Sequence, residues 1–234
     1  MRRRPSFLLD RLLPAAAALL VVRVTVAVVA GYGAYLPPDF HSDFLRGREG
    51  HFLGAYRWAF YAHIASGPVA LMLGLVLVSA RFRSRFPAWH RRLGRVQVAV
   101  VLGVVAPSGL VMARHAAAGP IAGVGLAVLA LATALCCGMG WRAAIARRFA
   151  DHGRWMGRCY VLLLSAVVLR LMGGLGTVLG VSSPWYDPLA NWLCWLAPLA
   201  AFEAWGRGWR PGPMPHPAGS ARSPSPVGPA SRRS

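Results

Sequence analysis

The sequence predicts an all-α membrane protein: six transmembrane helices, a four-helix core made of two similar hairpins, and both termini in the cytoplasm. Three observations carry this. Of 234 residues, 56% are hydrophobic and only 14% charged, with mean hydropathy +0.47, too apolar a balance for a water-soluble domain of this length. Six mostly apolar runs approach the roughly 20 residues that a bilayer requires, at about 12–36, 56–78, 94–114, 121–143, 157–178 and 188–206. The basic residues, finally, are dense in alternate connections and sparse in the others.

All 26 basic residues are Arg, against 7 acidic residues. Arg2, Arg3, Arg4 and Arg11 precede the first span. The second-to-third connection holds Arg81, Arg83, Arg85, Arg91, Arg92 and Arg95, and the fourth-to-fifth holds Arg142, Arg147, Arg148, Arg154 and Arg158. The opposite connections carry Arg46, Arg48 and Arg57 diluted by Asp39, Asp43 and Glu49, then Arg114, then none from Gly173 to Pro188. Short cytoplasmic loops collect Arg and Lys, so the dense side faces the cytoplasm. Trp58, Trp89, Trp141, Trp155, Trp185 and Trp205 fall at the span ends, as an interfacial aromatic belt requires.

The run after MRRRPSFLL is about 25 residues long and contains Arg23, which disfavours a cleaved export signal with its core of about 7–15 residues. The expected organisation is a first helix and outer loop at 1–55, a four-helix core at 56–178, a sixth helix at 179–206 and a tail at 207–234. The tail is rich in Pro, Gly, Ser and Arg and is expected to be disordered.

The two arginine-rich connections resemble each other. RFPAWHRRLGR at 85–95 and RFADHGRWMGR at 148–158, laid together without a gap, share Arg85/Arg148, Phe86/Phe149, Arg91/Arg154, Gly94/Gly157 and Arg95/Arg158. Both hairpins approach this side from the other, so the repeat is expected to be parallel. His90 and His152 miss each other by one position in this alignment.

Composition also excludes. The Arg clusters punctuate apolar runs, whereas a nucleic-acid reader keeps them on a water-facing surface, so nucleic acid is not an expected partner. Cys136, Cys137, Cys159 and Cys194 lie in or beside apolar runs without zinc-like spacing, and read as small buried residues. No nucleophile elbow appears. A carboxylate-driven proton pump is not expected either, because Glu203 is almost the only acid in the spans.

Basic groups inside spans are costly and usually face the bundle interior. His63 is expected roughly 10 Å deep from the outer side, and Arg170 near the same depth on the fifth span, where the two could meet. Arg23 lies midway along the first. Gly67, Ala70 and Gly74 follow His63 at i+4, i+7 and i+11, a smooth face that admits either a flat ligand or another helix. Four histidines lie at or within the bundle ends, His63 and His115 toward the outside, His90 and His152 toward the inside, a distribution that suits two haems. His115 stands roughly 10 Å above His63, which is poor for sharing one iron. The surrounding arginines offer a second role, binding lipid phosphate or a small anion. His41 and His51, with Asp39, Asp43 and Glu49, match no metal-ligand spacing and read as a solvated loop.

Taken with the two hairpin motifs, the segments RFPAWHRRLGRV and DHGRWMGRCYVLLLSAVVLRL resemble a family of bacterial predicted multi-pass membrane proteins catalogued as a domain of unknown function. The family pattern is a His near the start of one span, H-R-x-x-G-R entering the next, and H-R-R-W-M-x-R followed by a span with a Leu-Arg pair. Here His63, then His90, Arg91, Gly94 and Arg95, then His152, Arg154, Trp155, Met156 and Arg158, then Leu169 and Arg170 fit it, over roughly 56–175, with Gly153 where Arg is usual. The resemblance implies a multi-pass protein of the bacterial cytoplasmic membrane and no particular activity. A looser similarity, paired His at the ends of a four-helix unit, is to two-haem transmembrane cytochromes b. The leading expectation is therefore haem b, with His63, His90 and His152 as iron ligands and His115, Arg158 and Arg170 supporting, and electron transfer with a redox partner or quinone. The alternatives are a protein that binds or transports a small anion or lipid headgroup, and a structural subunit.

Overall fold

The computed structural model describes residues 9–42 and 44–208; the N-terminal segment disfavoured as an export signal falls partly, and the expected disordered tail almost wholly, outside them. Among the described residues the structure is helical and has no strand. Five helices are long and apolar enough to cross a membrane: Leu12–Ala34, Glu49–Leu77, Pro87–Ala113, Gly119–Ile145 and Phe149–Val178, here the first to fifth spans. A sixth helix, Tyr186–Gly208, has the length of a span, but Asp187, Asn191, Glu203 and Pro198 dilute its apolar character. Five helices thus meet the apolar criterion where six were expected.

The second, third and fifth spans begin seven or eight residues earlier than hydropathy suggested, at Glu49, Pro87 and Phe149. Hydropathy ends where arginines begin, but backbone hydrogen bonding does not, and the arginine-rich segments are the opening turns of the third and fifth spans. The turns before them differ. Ser79 accepts from Phe82 N–H at 3.3 Å and caps a short helix, Ala80–Arg85. After the fourth span, Arg148 N–H donates to Ala143 C=O at 2.9 Å and Arg147 N–H to Ala144 C=O at 3.1 Å, with Arg147 left-handed at φ 57°. This is the Schellman arrangement, whose left-handed position is usually Gly.

Helix starts reset the repeat. Phe86 and Arg148 are the residues that precede the third and fifth spans, at ψ 62° and 72°, so Pro87 corresponds to Phe149 and His90 to His152. His90 N–H donates to Phe86 C=O and His152 N–H to Arg148 C=O, both at 2.9 Å. The histidines therefore share one helical position, and the gapless alignment that paired Arg91 with Arg154 is displaced by one residue.

One core cluster joins the spans. It gathers Ala70, Val101, Val105, Leu162 and all four cysteines with Trp195 of the sixth helix, so that helix is part of the core rather than a flank. Rings enter where glycine leaves room. A Cβ on Gly125 would lie 2.9 Å from the Trp192 indole, whose Nε1–H donates to Ile121 C=O at 3.0 Å. The first span packs on the second and fifth. It buries Val21 and Thr25, which places Arg23, two residues from each, on the opposite, exposed face. The expected interior placement of Arg23 is corrected accordingly. Trp58, Trp89, Trp185 and Trp205 are exposed at helix ends, as anchoring rings are.

Candidate functional site

The third span brings the polar groups together. It runs from the face that carries both arginine-rich hairpins to the face that carries the 35–48 loop; three of its side chains, and His115 just past its end, meet polar groups of neighbouring spans.

At the arginine-rich face, His90 lies within electrostatic reach of His152, Arg83 and Arg91, and its Nδ1 is buried without a hydrogen-bond partner. His152 Nδ1 is 2.9 Å from Gly140 C=O. A carbonyl only accepts, so Nδ1 carries the proton and Nε2 a lone pair in the neutral ring. Both helices present their N-termini here, and the partial positive charge of those ends favours an anion. Asp151 is taken by Arg148 at 3.6 Å.

Two turns in, Gln97 is buried and donates Nε2–H to Ala70 C=O at 3.0 Å. Its Oε1 and the Tyr160 hydroxyl are both buried without partners. Tyr160 leans on Gly74, where a Cβ would stand 2.5 Å from Cδ2, with Gln97 Nε2 at 3.6 Å.

Farther on, His63 Nδ1 lies 3.0 Å from Ser108 Oγ. Ser108 spends its own proton on Val104 C=O at 2.6 Å, so the imidazole donates and Nε2 again holds the lone pair. At the loop face His115 stacks on His51, ring centroids 4.7 Å apart and 18° from parallel, with Tyr56 edge-on to both. Arg48 is buried there, bonded to the Tyr56 hydroxyl and 4.2 Å over the Phe44 ring. His51 is therefore no part of a solvated loop. Asp43, grouped with it by sequence, lies outside the described residues.

Two arginines depart from expectation. Arg170 is exposed and stands in the field of Tyr32, whose hydroxyl donates to Ile64 C=O at 2.9 Å; it does not meet His63. The fifth span buries Val167 and Gly176 on its packed side and leaves Arg170 outside it. Arg158 forms a two-pronged pair with Glu203 of the sixth helix, at 2.6 and 3.0 Å, and lies 4.7 Å over the Trp155 ring, so it is engaged in fastening that helix. The sequence reading found Glu203 only as a lone acid; its spacing to Arg158 carries no local signal.

The lower part of the small-residue face below His63 is occupied by Tyr160 at Gly74 and by Gln97 at Ala70, while Gly67, one turn from the imidazole, is open; on the other side His63 Cε1 lies 3.4 Å from where a Gly109 Cβ would be. A cavity of about 480 Å³ beside Arg114 and one of about 710 Å³ between the first and second spans are lined by no histidine. Among the described residues no three His, Cys, Asp or Glu side chains group as a metal site. His63, His90 and His152 therefore do not share one metal, and of the three only His90 and His152 lie within electrostatic reach of each other.

A family described as predicted membrane protein (DUF2306) matches residues 60–205, well over half of the chain. The chain belongs to this family. The DUF2306 match takes in His63, both arginine-rich hairpins, Arg158 and Glu203, and extends past the resemblance first drawn on sequence motifs to include the sixth helix. No curated protein and no solved structure matches the chain.

Proposed function

We propose that this member of the DUF2306 family spans the bacterial cytoplasmic membrane six times, both termini cytoplasmic, and binds an anionic group between its two arginine-rich hairpins. The ligand class is a phosphate, free or on a lipid headgroup. One observation carries the reading: His90 and His152 occupy the same turn of two helices that start at one face, within reach of each other and of Arg83 and Arg91, with His90 Nδ1 buried and unpaired. Charge-assisted bonds from imidazolium and guanidinium suit phosphate oxygens, and two helix N-termini add to them. Melting of the purified chain in zwitterionic nanodiscs, with and without inorganic phosphate or anionic lipid, tests it. Stabilisation by either ligand in the wild type that His90→Leu and Arg83→Ala abolish is the expected result. Equal melting in all cases defeats the reading, and a response to lipid alone assigns the headgroup.

Haem b with electron transfer is the second reading, now restricted to His90 and His152. The hydrogen bond from His152 Nδ1 to Gly140 favours it, since ligating imidazoles commonly fix their far nitrogen this way. His90 and His152 would hold the group, Arg83 and Arg91 would meet its propionates, and it would supply one-electron chemistry with a quinone or protein partner. A Soret band after expression with ample haem, lost in His152→Ala, is its signature; no band in the wild type ends it.

A further inference from the structure

We infer that the third span carries a proton path across the bilayer. His90, Gln97 and Ser108 recur along it, and His115 follows in the turn just past its end at Ala113, at spacings of 7, 11 and 7 residues. Each is near a polar group of another span: His90 lies within electrostatic reach of His152, Gln97 bonds Ala70 C=O beside Tyr160, Ser108 meets His63, and His115 stacks on His51. From His90 to the helix end at Ala113 is about 35 Å at 1.5 Å per residue, enough to cross the roughly 30 Å of hydrocarbon. Polar groups inside spans are costly, and chains of histidines among them mark ion and proton routes. The sequence argued against a relay of carboxylates; this ladder is made of imidazole, hydroxyl and amide.

Unpaired atoms say what fills it. His90 Nδ1, Gln97 Oε1, Tyr160 OH and His51 Nε2 are buried without partners and all lie on this line, four of the seven such side-chain atoms among the described residues. Buried polar atoms that the protein leaves unpaired are satisfied by internal water. A proton enters on the His90 and His152 pair and passes to water held by Gln97 and Tyr160. His63 accepts a proton at Nε2 and releases one from Nδ1 to Ser108 Oγ, whose own proton turns from Val104 C=O onto internal water and leaves at the His115 and His51 stack. Only N–H and O–H bonds exchange, and the net event is one H⁺ moved. The interval from Gln97 to Ser108, about 16 Å by helix rise, is filled by Val101 and Val105, both buried, and contains the π turn Val101–Val105. That interval is the constriction, and conduction waits on its wetting.

The path shares the His90 and His152 pair with the phosphate reading but does not need phosphate bound, and a different measurement tests it. The full chain is reconstituted in liposomes holding a pH-sensitive dye, and a potassium gradient with valinomycin drives protons inward in gluconate buffer. The expected result is acidification several-fold faster than in protein-free vesicles, returned to that background by Gln97→Leu and by His63→Leu, and retained by Leu135→Ala on the exposed side of the fourth span. Ser108→Ala, which removes the His63 partner, replaces either variant that does not purify as a monodisperse protein, and the same loss is expected of it. A wild-type rate at background overturns the inference. So does a fast rate that survives these substitutions, or one seen only when chloride or phosphate replaces gluconate.

Discussion

His63 Nδ1 stands 3.0 Å from Ser108 Oγ, and that contact is what holds the one mid-bundle imidazole of the second span against the third. The hydroxyl proton is already given to Val104 C=O, so the pair has a fixed sense, imidazole to hydroxyl. Ser108→Ala removes the hydroxyl from a buried imidazole that keeps a backbone partner at Val105, and is expected to cost about 0.5–1.5 kcal/mol. Ser108→Thr keeps the oxygen and should lose much less. Unfolding of the purified protein in mild detergent reads the difference, and an alanine variant as stable as the wild type would remove the contact's structural role.

Gly74 and Tyr160 make a second such pair. With a Cβ placed 2.5 Å from Tyr160 Cδ2, Gly74→Ala must displace the ring or separate the second and fifth spans. Overpacking of this kind costs about 1–3 kcal/mol. Combining it with Tyr160→Leu should recover part of the loss, because the shorter side chain vacates the contested volume. Strictly additive effects of the two substitutions in the same unfolding assay would show that they do not compete for one space.

The membrane class, the positions of five spans and the inward placement of the histidines were legible because each has a local cause. Apolar length, arginine density and intramembrane cost act residue by residue. What was not legible depends on partners distant in sequence. The Gly67, Ala70 and Gly74 face reads equally as a ligand groove or a helix seat until Tyr160, 86 positions after Gly74, fills its lower end. Arg170 and Arg158 were both read as pointing inward, yet one lies outside the packed face and the other is held by Glu203. The repeat was legible in its letters but not in its register, which the helix starts at Pro87 and Phe149 decide. His51 looked like loop because hydropathy stops well before the helix does.

Arg147 occupies a left-handed turn position at φ 57° after the fourth span. A Cβ there costs about 1–2 kcal/mol that glycine avoids. The residue is exposed, so its side chain loses little on removal. Arg147→Gly is expected to raise stability by about 1 kcal/mol, less a few tenths for the added freedom of the unfolded chain. Arg147→Ala, which relieves nothing in the backbone, should be close to neutral. Equal effects of the two in thermal unfolding would show that the turn is not strained.

Orientation follows from arginine density and makes the sharpest demand on accessibility. Ser84 and Ala117 are exposed in the connections at opposite ends of the bundle, the first among arginines and the second after the lone Arg114. The four native cysteines are at most 7% exposed, so they give little background to a thiol reagent. In intact cells a membrane-impermeant maleimide is expected to label Ala117→Cys and to spare Ser84→Cys, which labels once the membrane is permeabilised. The arginines set this order because basic loops are retained on the cytoplasmic side as spans insert. Labelling of Ser84→Cys in intact cells, with Ala117→Cys protected, would invert the protein and move the arginine-rich face to the outside.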